Sequence, residues 1–196
     1  MTCNRIRILG FASLFCSVFI LNSCSGDDPT APPVNNEHAP PTTMTVELVK
    51  LDASGNSTSV KTSATVRDTS VVKGKARVEG TLLLDAGAVY KGSITLFDES
   101  KSMPENVTSE IENEKDGHIF LFTATSGIDN TRLSVSDKDK DSKGSDVGLT
   151  FKVNVATGPA ATGFLNVVLR HYDGGNKNDT AFDTDINSDF PVQIRQ

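Results

Sequence analysis

An all-β fold, an antiparallel β-sandwich of the immunoglobulin-like or a related kind, is predicted for this chain by three observations. Val, Thr, Ile and Phe dominate its patterned segments, apolar and polar residues alternate there with period two, and turn residues interrupt the runs at short intervals. Residues 44–51 and 60–67 read as the first strands, with Ser54-Gly55-Asn56 as the turn between them. In residues 76–84, Val78, Leu82 and Leu84 alternate with Glu79 and Thr81. In residues 90–97, Tyr90, Gly92, Ile94 and Leu96 share one face. Pro104 suits a first helical turn, and Val107 and Ile111 lie four apart, so residues 105–115 are the single helical prediction. Strands are expected again over 118–124, 132–136 and 147–155, where Leu149, Phe151, Val153 and Val155 form an inward face. Residues 163–172 and 190–195 close the domain. Strands do not alternate with long helices, which argues against a parallel α/β sheet.

The N-terminus carries a different signal. Arg5 and Arg7 precede a largely apolar run, Ile8 to Leu21, that is short for a membrane span of about 20 residues and suits a cleaved export signal. It ends in Leu21-Asn22-Ser23-Cys24, which resembles the box at which bacterial lipoproteins are acylated and cut. The resemblance implies a signal peptide over 1–23 and a lipidated Cys24 bearing palmitate or similar chains. Ser25 follows the cysteine instead of Asp, which by the same resemblance implies delivery to the outer membrane. Ser25-Gly26-Asp27-Asp28 resembles a short acidic tract that sends lipoproteins to the cell surface. Two or three acyl chains hold a protein stably, each buried methylene contributing about 0.8 kcal/mol. Residues 24–43 are rich in Pro, Asn, Thr and Asp and read as an extended tether, leaving 44–196 as one β-sandwich domain.

Composition narrows the function classes. Without residues 1–23 the chain has 17 basic against 25 acidic side chains, a net of −8, which disfavours nucleic acid and anionic lipid surfaces as partners. Cys3 and Cys16 leave with the signal and Cys24 is committed to lipid, so disulfides, thiol nucleophiles and Cys-ligated metals are not expected. The sequence has no Gly-x-Ser-x-Gly elbow, His-Glu-x-x-His, P-loop or Gly-x-Gly-x-x-Gly, so the expectation is a protein that is not an enzyme.

Two constellations have metal-binding character. Asp137-Lys138-Asp139-Lys140-Asp141, followed by Gly144 and Asp146, places carboxylates at alternating positions of a short loop, as Ca²⁺ with its six to eight oxygens requires. The glycine falls late for an EF-hand, Gly148 stands where the bidentate Glu belongs, and three lysines offset the charge, so a solvated hairpin competes with calcium here. The second constellation is Glu114 and His118 at the start of one strand, with His171, Asp173 and Asp185 around the end of another. Imidazoles with carboxylates suit Zn²⁺ or Cu²⁺. The histidines are 53 residues apart, so only a sandwich rim, where strand ends gather, can bring them together.

From Tyr90 onward the chain also resembles a family of small bacterial surface lipoproteins. The similarity is carried by Tyr90-Lys91-Gly92-Ser93-Ile94, Glu99-Ser100, Glu110-Ile111, Glu114, His118-Ile119-Phe120, Gly163-Phe164-Leu165, Leu169-Arg170-His171, Thr184-Asp185-Ile186 and Phe190-Pro191-Val192. Members are sometimes labelled periplasmic-binding-fold proteins, an α/β architecture at odds with the strand pattern above. The resemblance implies association with outer-membrane TonB-dependent receptors and a part in metal or nutrient capture; it implies no activity. The expectation is therefore a lipid-anchored accessory lipoprotein capturing a metal or small ligand for a transporter. A calcium-stiffened structural or adhesive module is the alternative, and a hydrolase using His118 or His171 is a third reading.

Overall fold

A computed structural model describes residues 40–196. The expected signal peptide, Cys24 and most of the tether lie outside the described residues. The packed chain begins slightly before residue 44. Pro41, Thr42 and Thr43 are already buried, and the Thr42 amide donates to the Phe97 carbonyl at 2.9 Å.

Eleven strands and one short helix follow: β1 Thr43–Leu51, β2 Ser57–Arg67, β3 Val78–Gly80, β4 Leu82–Asp85, β5 Val89–Asp98, β6 Glu105–Asn106, α1 Thr108–Asn113, β7 His118–Thr125, β8 Leu133–Ser136, β9 Thr150–Val155, β10 Ala161–His171 and β11 Asp183–Arg195. They form two packed sheets, an all-β sandwich. One sheet runs β3-β2-β1-β5-β9-β8, with β6 also paired to β5; the other runs β4-β11-β10-β7. Pairing is antiparallel except between β4 and β11.

The period-two faces meet between the sheets. Tyr90, Gly92, Ile94 and Leu96 are all buried, as are Leu149, Phe151, Val153 and Val155. Opposite them stand Phe120 on β7, Leu165, Val167 and Leu169 on β10, and Phe190, Val192 and Ile194 on β11. Gly92 is needed where it is: a Cβ there would sit 2.4 Å from Cε2 of Phe151, whose ring covers it.

Three predicted elements differ. The strand expected over 76–84 divides at Gly80-Thr81, with β3 pairing to β2 and β4 to β11 in the other sheet. That crossing breaks the expected alternation, so Val78 is 38% exposed while Leu82 and Leu84 are fully buried. The helix is shorter than residues 105–115 because Glu105 and Asn106 pair with β5 as a strand. Val107 and Ile111 are nevertheless both buried, as their spacing predicts. Finally, β11 starts at Asp183, well before residue 190. Its first half is nearly all Asp, Asn, Ser and Thr, and only the β10 ladder identifies it as strand.

Candidate metal centre

Three adjacent strands each bring one ligand-bearing side chain to the same end of the smaller sheet. His118 is the first residue of β7 and His171 the last of β10, and the two are direct cross-strand partners. Their rings stack with centroids 4.5 Å apart and planes within 7°. The rim convergence expected of these two histidines is thus present in the fold. Asp185 approaches from β11, on the other side of β10. One candidate ligand atom from each of His118, His171 and Asp185 lies within 4.8 Å of the others, and no other such group of His, Cys, Asp or Glu occurs among the described residues.

Asp185 reaches this point through a β-bulge. The β10–β11 register passes from Leu169↔Ile186 to Arg170↔Thr184, which leaves Asp185 as the extra residue on its strand. Ile186, Ser188, Phe190, Val192 and Ile194 form the core-facing parity of β11. An unbulged strand would turn Asp185 to the opposite face; a bulge re-aims a side chain. With it, the Asp185 carboxylate is only 11% exposed, and its Oδ2 lies 3.7 Å from His118 Nε2.

The state of His118 follows from its other nitrogen. Nδ1 lies 3.0 Å from the carbonyl oxygen of Glu114, and a carbonyl can only accept, so Nδ1 carries a proton. Nε2 is then the nitrogen available to a metal ion, 3.7 Å from Asp185 Oδ2. A backbone carbonyl fixing the tautomer of a histidine in this way is the usual support behind a metal-binding imidazole. His118 is completely buried, whereas the His171 side chain is 18% exposed.

The other two residues singled out with these histidines stand outside the cluster. Glu114 is exposed at the end of α1, and its backbone carbonyl is the oxygen that meets His118 Nδ1. Asp173 is largely exposed and places Oδ1 3.8 Å from His171 Nδ1. Two openings reach the cluster: a cavity of about 340 Å³ lined by His171, Asp173, Asp179, Phe182 and Asp183, and one of about 430 Å³ with Asp185 on its wall.

These residues fit a borderline divalent metal. Two imidazoles and a carboxylate are the donors that Zn²⁺, Cu²⁺ and Fe²⁺ accept, with coordination positions left over. Donor atoms around a tetrahedral ion with bonds of about 2.0–2.1 Å are about 3.3 Å apart. The 3.7 Å His118–Asp185 pair is nearly there; the two imidazoles stack almost parallel, so the more exposed His171 ring must rotate out of the stack before nitrogens of both rings can face one ion.

The acidic loop presents another arrangement. Asp137, at φ +47°, pairs with Lys152 at 2.8 Å. Asp139 accepts the amides of Gly148 and Thr150, both at 2.9 Å. Asp146 pairs with Lys138 at 3.2 Å and with Lys140. Asp141 accepts the amides of Lys143 and Ser145 on one oxygen, and the Lys177 ammonium meets its other oxygen at 2.9 Å. Burial works to raise the Asp141 pKa, but Lys177 and the two amides outweigh it and hold the carboxyl below its usual range. The four carboxylates therefore serve separate partners, and the Lys177 Nζ, also 2.8 Å from the Asp146 carbonyl, stands among them as a cation supplied by the chain. Sequence reading missed Lys177; its surroundings, Asp173-Gly174-Gly175-Asn176 before it and Asn178-Asp179 after, read first as a flexible connection, with calcium binding as the alternative.

No helix among the described residues is long and apolar enough to cross a membrane. Comparison with known proteins finds no matching protein family, no matching curated protein and no matching solved structure.

Proposed function

We propose that this protein is a lipid-anchored accessory lipoprotein of the bacterial outer membrane whose sandwich rim captures a transition-metal ion. The observation that carries the reading is the convergence of His118, His171 and Asp185 from three neighbouring strands. Zn²⁺ and Cu²⁺ are the ions the donor set favours, with His118 Nε2, a His171 nitrogen and Asp185 Oδ2 as protein ligands. Three ligands leave room for water or a donor from the receiving partner, which suits capture and hand-over better than permanent structural binding. The lipid anchor rests on Leu21-Asn22-Ser23-Cys24, and an outer-membrane TonB-dependent receptor is the partner class that the family resemblance suggests.

The test has two arms. Full-length protein, purified without a histidine tag and demetallated, is titrated with Zn²⁺, Cu²⁺ and Co²⁺. One tight site per chain is expected, lost in His171→Ala and in Asp185→Asn. Binding that survives both substitutions would remove the site. Palmitate labelling in a bacterial host tests the anchor: label incorporated into wild type and absent from Cys24→Ser is expected, and unlabelled wild type would remove the anchor.

A further inference from the structure

The acidic loop between β8 and β9 touches both turns that carry the candidate ligands. On one side, Asp116 accepts the Ser142 amide at 2.9 Å and the Ser142 hydroxyl, and Asp116 lies two residues before His118. On the other, Lys177 sits in the middle of the connection between His171 and Asp183. Its side chain is 7% exposed and is paired at 2.9 Å with Asp141, itself 1% exposed. The same ammonium donates to the Asp146 carbonyl at 2.8 Å, and Lys143 donates back to the Gly175 carbonyl. The two turns also touch directly, the Tyr172 amide donating to the Gly117 carbonyl at 2.8 Å.

His118 begins its strand, His171 ends its strand, and Asp185 lies just inside β11 at a bulge. Strand ends are where a ladder opens most easily, so side chains placed there need support from outside the sheet. We infer that the Asp141–Lys177 pair and the Asp116–Ser142 bonds form a clamp that positions His118, His171 and Asp185 for the metal. Lys177 and Asp116 are then positioning residues: neither touches the ion. This rests on the metal-capture reading above, and it assigns the loop a different role from calcium binding. The cation that organises the loop is Lys177, supplied by the chain itself.

Breaking either arm lets one ligand-bearing turn move without removing a ligand. Supporting residues around metal ligands typically contribute 10–100-fold in affinity. The experiment compares Co²⁺ and Zn²⁺ binding by wild type, Lys177→Met and Asp116→Ala, in the full-length protein and well below the melting temperature of each variant. The expected result is a rise in Kd of about tenfold or more in both variants, with a changed visible absorption spectrum for bound Co²⁺. A purely structural role would lower the melting temperature but leave the Kd and spectrum of the folded protein unaltered, and that result overturns the clamp. Asp116 is a partly exposed turn residue, so its variant keeps the question open to test if Lys177→Met does not fold.

A measurement on wild type needs no variant. Coupling is reciprocal, so metal must in turn steady the clamp. Hydrogen exchange at the Gly175 and Asp179 amides, both bonded within the Lys177 turn, should slow on adding Zn²⁺. Unchanged exchange in protein that binds metal contradicts the clamp. A wild type that binds no metal defeats the metal-capture reading itself.

Discussion

Thermal unfolding of the metal-loaded protein gives the most direct energetic test of the rim site, and His171→Ala is the better substitution for it. His118 is completely buried, and its Nδ1–H is bonded to Glu114, so removing it leaves a void and an unmatched carbonyl that destabilise the apo-protein whatever the ring binds. The His171 side chain is 18% exposed at the end of its strand, so its removal costs the apo-protein less and isolates the ligand's contribution. An ion that binds only the folded state at 100 times its dissociation constant adds about 2.7 kcal/mol. A domain of this size shifts by roughly 2–4 °C per kcal/mol, so wild type should gain about 5–10 °C. Closing the donors from within 4.8 Å to tetrahedral separations draws on the same free energy, which places the gain toward the lower end of that span. The assay is a circular-dichroism melt of demetallated protein with Zn²⁺ or Cu²⁺, repeated in EDTA and at lower pH. Protons and metal compete for the same imidazole nitrogens, so the gain must shrink as pH is lowered. Equal shifts in wild type and His171→Ala, or none with any transition metal, would refute the argument.

Three further outcomes follow from the same structure. Gly92→Ala drives a methyl into the Phe151 ring at 2.4 Å and should destabilise the fold by about 1–3 kcal/mol, read from denaturant midpoints; a neutral result would mean the ring has room to move. Ca²⁺ up to millimolar concentrations should leave the melting temperature unchanged, because Lys177 and the lysines around Asp146 already serve the loop carboxylates, and a clear upward shift would restore a calcium role. Acid should act through depressed carboxyls: the Ser100 hydroxyl and amide hold Asp98 below its usual range, and Lys177 with two amides does so for Asp141 despite burial. Their folded pKa values lie below the unfolded ones. The stability they supply is therefore complete above about pH 4 and is lost as pH falls through the folded values, so apo-protein melts should decline below about pH 4, with Asp98→Asn showing a shallower decline.

The sandwich was legible because its core strands obey one rule. Where a strand buries one face, as in Tyr90 to Leu96 and Phe151 to Val155, period-two alternation is a direct consequence of burial and can be read without a structure. It failed wherever a residue's role depended on a neighbour distant in sequence. Val78 is exposed because the chain changes sheets at Gly80. The first half of β11 carries too little apolar pattern to register as strand, and it is the part that holds Asp185.

The site shows the same division more sharply. That His118 and His171 could meet was readable from their positions at strand ends, but not that they are register partners, which depends on how β7 lies against β10. Asp185 was named for its chemistry, whereas its delivery depends on one unpaired residue in a ladder. The acidic loop invited the opposite error. Alternating aspartates are common to calcium loops and to lysine-bridged hairpins, and what separates them here is Lys177, 36 residues beyond Asp141. A carboxylate-rich loop is thus ambiguous until its cation is known. In this chain that cation is covalently part of the next connection, so the loop joins the two turns that carry the candidate ligands and has its charge satisfied by that junction.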